Sequence, residues 1–119
     1  MILDLVKMKL SIILPVYNVE HFIESALCSI YGQNVPEDLF EVVVVNDGTP
    51  DNSMSIVNKF IPSHKNLIVL EQKNQGLSAA RNAGMKIASG DYVWFVDSDD
   101  TITDNSLLKI MSLISDHSD

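Results

Sequence analysis

Phe40-Glu-Val-Val-Val-Val45 is a nearly unbroken β-branched run. A strand covered on one face alternates polar and apolar residues, whereas one covered on both reads as continuous apolar sequence. This run therefore predicts a central strand of a parallel sheet, with helices above and below. Asn46-Asp47-Gly48 breaks it, because these residue types favour turns. Thr49-Pro50 then reads as an N-cap with proline at the first helical position. Met54, Val57 and Ile61 share one side of the predicted helix, and Pro62 ends it.

The pattern extends in both directions. Upstream, Leu10-Ser-Ile-Ile-Leu-Pro-Val16 is a first strand, closed by Pro15 and Asn18. Val19, Phe22, Ile23, Ala26, Leu27 and Ile30 then form one helical stripe, with Asn18 as its cap and Gly32 as its stop. Downstream, Asn66-Leu-Ile-Val-Leu70 is a third strand and Leu77 to Ala88 a third helix, with Leu77, Ala80, Gly84 and Ile87 inward. Gly90 closes that helix. Asp91-Tyr-Val-Trp-Phe-Val96 is a fourth strand, with Trp94 and Phe95 read as core. Thr103 caps a last helix carrying Leu107, Ile110, Met111 and Ile114. The order βαβαβαβα predicts an α/β, Rossmann-like, three-layer sandwich around a parallel sheet with right-handed crossovers.

With 119 residues, the chain makes one domain. Positions 1–8 read as an N-terminal extension and 9–119 as the domain. Acidic residues number 16 and basic residues 8, a net charge of −8. That balance excludes a nucleic-acid backbone binder and a polybasic lipid-docking patch. The single cysteine, Cys28, excludes an internal disulfide. No apolar run reaches the ~18 residues of a membrane span, and Met1–Lys9 lacks the apolar core of a signal peptide. The expected address is the cytoplasm, at the membrane periphery in a full-length protein.

Ligands of open α/β sheets bind beyond the carboxyl ends of strands, where this chain gathers its unusual polar residues. Tyr17 and Asn18 follow the first strand, Asn46-Asp47-Gly48 the second, Glu71–Gly76 the third and Asp97-Ser-Asp-Asp100 the fourth. Asp97, Asp99 and Asp100 repel one another, and as hard oxygen donors they suit Mg²⁺ or Mn²⁺. They equally suit a solvated loop that caps the last helix. Asp47 suits a turn, or acceptance of a base N–H such as that of uracil. Arg81 is the only arginine, either a fixed donor fork near the same edge or a surface ion partner. Tyr17 suits the core or stacking on a planar base.

Ser11-Ile-Ile-Leu-Pro-Val-Tyr-Asn18, Val42-Val-Val-Val-Asn-Asp-Gly-Thr49 followed by Asp51, Asn74-Gln-Gly-Leu-Ser-Ala-Ala-Arg-Asn-Ala-Gly84 and Tyr92-Val-Trp-Phe-Val-Asp-Ser-Asp-Asp100 resemble successive signatures of family 2 glycosyltransferases. These enzymes have the GT-A fold, and the likeness runs from about Lys9 to Asp116. It implies the N-terminal half of that fold, with a nucleotide-diphosphate sugar, expected to be a UDP-sugar, as donor. Pro15, Val16 and Tyr17 would line the nucleobase pocket, Asp47 would bond the base and Arg81 would lie near the nucleotide. Asp97-Ser98-Asp99 would be the Asp-x-Asp motif, with Asp97 toward the ribose and Asp99 on the Mn²⁺ or Mg²⁺ ion. Asn46 stands where an aspartate is often seen.

The implied reaction transfers the sugar, with inversion, to a hydroxyl of a glycan or lipid-linked acceptor in polysaccharide synthesis. The chain ends about 20 residues after Asp99. The resemblance therefore places the catalytic base and acceptor pocket beyond residue 119 and implies that the chain alone is inactive. A sheet edge left open for later strands predicts self-association. Two other readings remain open. One is a nucleotide- and metal-binding module without turnover. The other is a receiver-like Mg²⁺-binding signalling domain, which would want acidic residues where Pro15, Val16 and Tyr17 stand.

Overall fold

In the computed structural model, residues 9–116 are described. Within them β1 (Leu10–Val16), β2 (Phe40–Asp47), β3 (Leu67–Gln72) and β4 (Tyr92–Phe95) alternate with α1 (Ile23–Tyr31), α2 (Ser53–Asn58), α3 (Leu77–Ile87) and α4 (Ser106–Asp116). The extension at positions 1–8 lies outside the described residues.

All strand pairs are parallel and the sheet order is β3-β2-β1-β4. Alternate residues of β1 and β2 supply two cores. Ile12, Leu14, Val42 and Val44 pack with Ile23 and Leu27 of α1, Val57 of α2 and Leu107 of α4. Ile13, Val43 and Val45 pack instead against Ala80 of α3. The chain thus steps from β1 to β3 on one face and returns to β4 across the other, as right-handed crossovers require. Gly84 permits the return: a Cβ there would meet Ile13 Cγ2 at 2.6 Å and Val45 Cγ2 at 3.1 Å.

Several boundaries differ from the sequence expectation. Asn18 caps no helix; it adopts φ 55°, and a turn at Val19–Phe22 delays α1 to Ile23. Asn46 and Asp47 stay in β2, paired with Glu71 and Gln72 of a longer β3. Thr49 and Pro50 belong to the loop before α2, whose N-cap is Asn52; α2 ends at Asn58, ahead of the short 3₁₀ turn containing Pro62. Leu77 and Ile87 are exposed, because among the described residues α3 is the one helix on its face, and of its residues only Ala80 and Gly84 are buried against the sheet. The cap after α3 is Ala88 rather than Gly90.

β4 is an edge strand, not a central one, so Trp94 is half-buried and Phe95 is 41% exposed. At α4, Thr103 serves as a turn acceptor for the Ser106 N–H, while Leu107 N–H donates to the buried Gln33 Oε1 at 3.1 Å. No helix among the described residues is long and apolar enough to cross a membrane.

Candidate functional site

Pro15 decides where β1 and β4 part. The Ile13 carbonyl accepts the Val96 N–H at 3.0 Å, so residues of that parity face β4, and Pro15 is the next. It has no N–H to offer, and the ladder stops. Chain 97–100 turns away, while the Pro15 carbonyl accepts the hydroxyl of buried Ser98 at 2.5 Å. The parting leaves a cleft of about 540 Å³. It opens at the carboxyl ends of β1 and β4, where the winding direction reverses and α/β sheets characteristically bind ligands.

Pro15, Val16, Tyr17, Asp47, Asp97, Ser98 and Asp99 all line this cleft. Tyr17 is 44% exposed there, so of its two expected places it takes the open one rather than the core. Arg81 is not among the lining residues; its Nη2 donates to Asp97 Oδ1 at 3.1 Å, and its guanidinium lies 5.8 Å from the Phe95 ring centre. Asp97 is exposed and Arg81 partly so, and a solvent-screened pair of this kind adds only ~0–1 kcal/mol. It orients Asp97 rather than holding the fold.

Asp47 is buried, and its Oδ1 accepts the Gln72 side-chain amide at 2.9 Å and the Gln75 N–H at 2.9 Å. Its Oδ2 accepts the Gly76 N–H at 3.1 Å. These bonds fold the 72–76 segment into the opposite wall, where Asn74, Gly76 and Leu77 line the cleft. Gly48 lets that segment approach: it has φ 68°, and a Cβ would meet Asn74 N at 2.8 Å. Since a carboxylate offers about four acceptor positions, these three bonds leave Asp47 one.

Sequence reasoning missed Asp51. Its Oδ1 accepts the Thr49 hydroxyl at 2.6 Å and the Ser53 N–H at 3.0 Å, and its Oδ2 accepts the Glu20 N–H at 3.0 Å. Burial alone would push this carboxyl up; hydrogen bonds from Thr49, Ser53 and Glu20 outweigh burial and bring it down to about 2. The available signal was Asp51 two residues after Thr49, a pairing equally typical of a surface turn. Asn74 and Gly76 were within a recognised motif but had no assigned place, and Leu77, expected inward on its helix, lines the cleft.

Asp97, Asp99 and Asp100 each offer a carboxylate oxygen, and these lie within 4.8 Å of one another. All three are exposed. An all-oxygen set of this compactness fits Mg²⁺ or Mn²⁺, which keeps part of its shell for water and phosphate oxygens.

Residues 11–119 match the family described as Glycosyl transferase family 2. The chain belongs to that family. A poly(ribitol-phosphate) beta-glucosyltransferase of Bacillus spizizenii is 40% identical over 104 residues, which are 86% of this chain and 16% of that protein. Staphylococcus aureus TarS 1–349, solved in complex with UDP-GlcNAc, superposes with a TM-score of 0.87 at 40% identity, over 93% of this chain and 32% of TarS. The mannosyltransferase PcManGT of Pyrobaculum calidifontis, solved with GDP-Man and Mn²⁺, gives 0.82 at 29% identity, over 94% and 33%. The chain thus has the N-terminal α/β part of this family's fold and spans at most about a third of these proteins.

Proposed function

We propose that this chain is the donor-binding part of a glycosyltransferase that uses a UDP-sugar with Mn²⁺ or Mg²⁺. The carrying observation is convergence: Tyr17, Asp47, Asp97 and Asp99, up to 82 positions apart, line one cleft. In this reading Tyr17 stacks on the base, and Asp47 accepts its imide N–H with the remaining lone pair. Asp97, oriented by Arg81, faces the ribose, and Asp99 with Asp97 holds the cation. That cation supplies Lewis-acid neutralisation of the charge gathering on the departing diphosphate, which reconciles an acidic protein with an anionic donor. The UDP-GlcNAc complex of TarS supports uridine as the base.

The carboxylates lining the cleft are Asp47, Asp97 and Asp99, and this reading commits each to the donor. The base that deprotonates an acceptor hydroxyl is assigned to another part of a full-length enzyme, as is inversion at the sugar. The acceptor is a glycan or glycan precursor, and the site of action is cytoplasmic. Under this reading the chain binds donor without turning it over. Calorimetric titration with UDP, GDP and CDP in Mn²⁺ tests the assignment. UDP should bind at least about tenfold more tightly than the others, the worth of one good hydrogen bond to a charged group. Equal binding of all three would remove uridine from the reading.

A further inference from the structure

The wall that carries Tyr17 is not held by its own strand. Beyond Val16 the backbone turns through Asn18 at φ 55°, and the N–H groups of Asn18, Val19 and Glu20 donate to side chains of another segment. Each is taken by a side chain of the 49–53 segment, the loop after β2 and the first residue of α2. Asn18 N–H donates to Thr49 Oγ1 at 2.9 Å, Val19 N–H to Ser53 Oγ at 3.2 Å, and Glu20 N–H to Asp51 Oδ2 at 3.0 Å. The Thr49 hydroxyl and Ser53 N–H converge on Asp51 Oδ1. Asp51 therefore closes a bridge between two loops about 30 positions apart, and it does not itself line the cleft.

We propose that Asp51 is a positioning residue that presets the Tyr17 wall for the donor's base. This rests on the donor-binding reading above. Without the bridge, the 17–20 segment has to be ordered by the ligand, and that cost is subtracted from affinity. Thr49 shares the task, because its hydroxyl accepts from Asn18 while donating to Asp51. Asparagine at position 51 keeps one acceptor oxygen and restores part of the bridge.

The test uses the protein with Asp51→Ala, Asp51→Asn, Thr49→Ala and Tyr17→Ala, plus Leu67→Ala in β3 as a destabilised variant distant from the cleft. Two readouts are taken well below each unfolding temperature. The first is amide hydrogen exchange at Asn18, Val19 and Glu20 in the ligand-free protein. Asp51→Ala should accelerate it at least about tenfold, with Asp51→Asn and Thr49→Ala between it and the parent, and Leu67→Ala without local effect.

The second readout is the UDP dissociation constant. It should rise about tenfold in Asp51→Ala and less in Asp51→Asn, and the Asp51→Ala/Tyr17→Ala double variant should bind like Tyr17→Ala alone. Unchanged exchange at 18–20 in Asp51→Ala and Thr49→Ala, or full additivity with Tyr17→Ala, overturns the proposal. Accelerated exchange in Asp51→Ala, with a parent protein that binds no UDP, would instead keep the bridge and overturn the donor reading. Should Asp51→Ala fail to fold, Asp51→Asn and Thr49→Ala carry both readouts.

Discussion

At opposite ends of β2, Glu41 and Asp47 are each 3% exposed and each accept three hydrogen bonds. Glu41 takes the Ser11 hydroxyl at 2.6 Å, the Ser89 N–H at 2.7 Å and the Ser89 hydroxyl at 2.9 Å. Ser11 in turn accepts the Gly90 N–H at 2.8 Å. This knot ties β1, β2 and the α3–β4 connection together. The three donors to Asp47 come from one segment, and its remaining side borders the cleft. A buried, satisfied carboxylate is therefore not in itself a mark of function. What separates the two ends is the open concavity beside Asp47.

The largest contrast comes from Glu41→Ala against Asp47→Ala. Each strands three donors, so urea unfolding should show each less stable by about 3 kcal/mol. Only Asp47→Ala should lose UDP, by roughly a hundredfold, since it removes a charged acceptor and loosens a wall. Equal UDP affinity in the two variants would break the distinction between the ends.

A smaller contrast uses two glycines. A Cβ at Gly90 would meet Ser11 Oγ at 2.6 Å and the Lys9 carbonyl at 2.8 Å, while one at Gly48 meets Asn74 N at 2.8 Å with φ 68°. Each alanine variant should cost about 1–3 kcal/mol in the same unfolding assay. Gly48→Ala should also weaken UDP binding, and Gly90→Ala should not.

The smallest effect is acid dependence. Asp51 falls from its ordinary value of 3.8 to about 2 on folding, so the unfolded chain takes up its proton first. Its contribution to stability is full above the ordinary value and is lost as pH drops through about 2. Glu41 shifts in the same direction, burial being outweighed by the Ser11 and Ser89 hydrogen bonds. In acid titrations followed by circular dichroism, Asp51→Asn should flatten the stability curve between pH 4 and 2 relative to the parent.

The central strands were legible because burial on both faces leaves a direct imprint: Val42–Val45 read as core and are core. β4 was not legible in the same way. Val93, Trp94 and Phe95 are as apolar as a central strand, yet they form an edge, because composition records hydrophobicity and not the number of neighbours. Caps failed for a related reason. Thr49 and Asp51 have capping chemistry, but each also accepts an N–H from the 18–20 segment, a partner that no local window contains. Among the expected site residues, Tyr17, Asp47, Asp97, Ser98 and Asp99, reached through strand ends and resemblance, line one cleft, and the Ser98 hydroxyl is committed to the Pro15 carbonyl.

The most direct test of the account is calorimetric titration of UDP with and without Mn²⁺, on the parent chain and on Asp99→Ala. The account predicts that Mn²⁺ tightens UDP binding to the parent by about tenfold or more, and that Asp99→Ala removes this gain while leaving metal-free binding in place. Equal, metal-independent affinity in both proteins would contradict the assignment of Asp97 and Asp99 to a cation on the donor diphosphate.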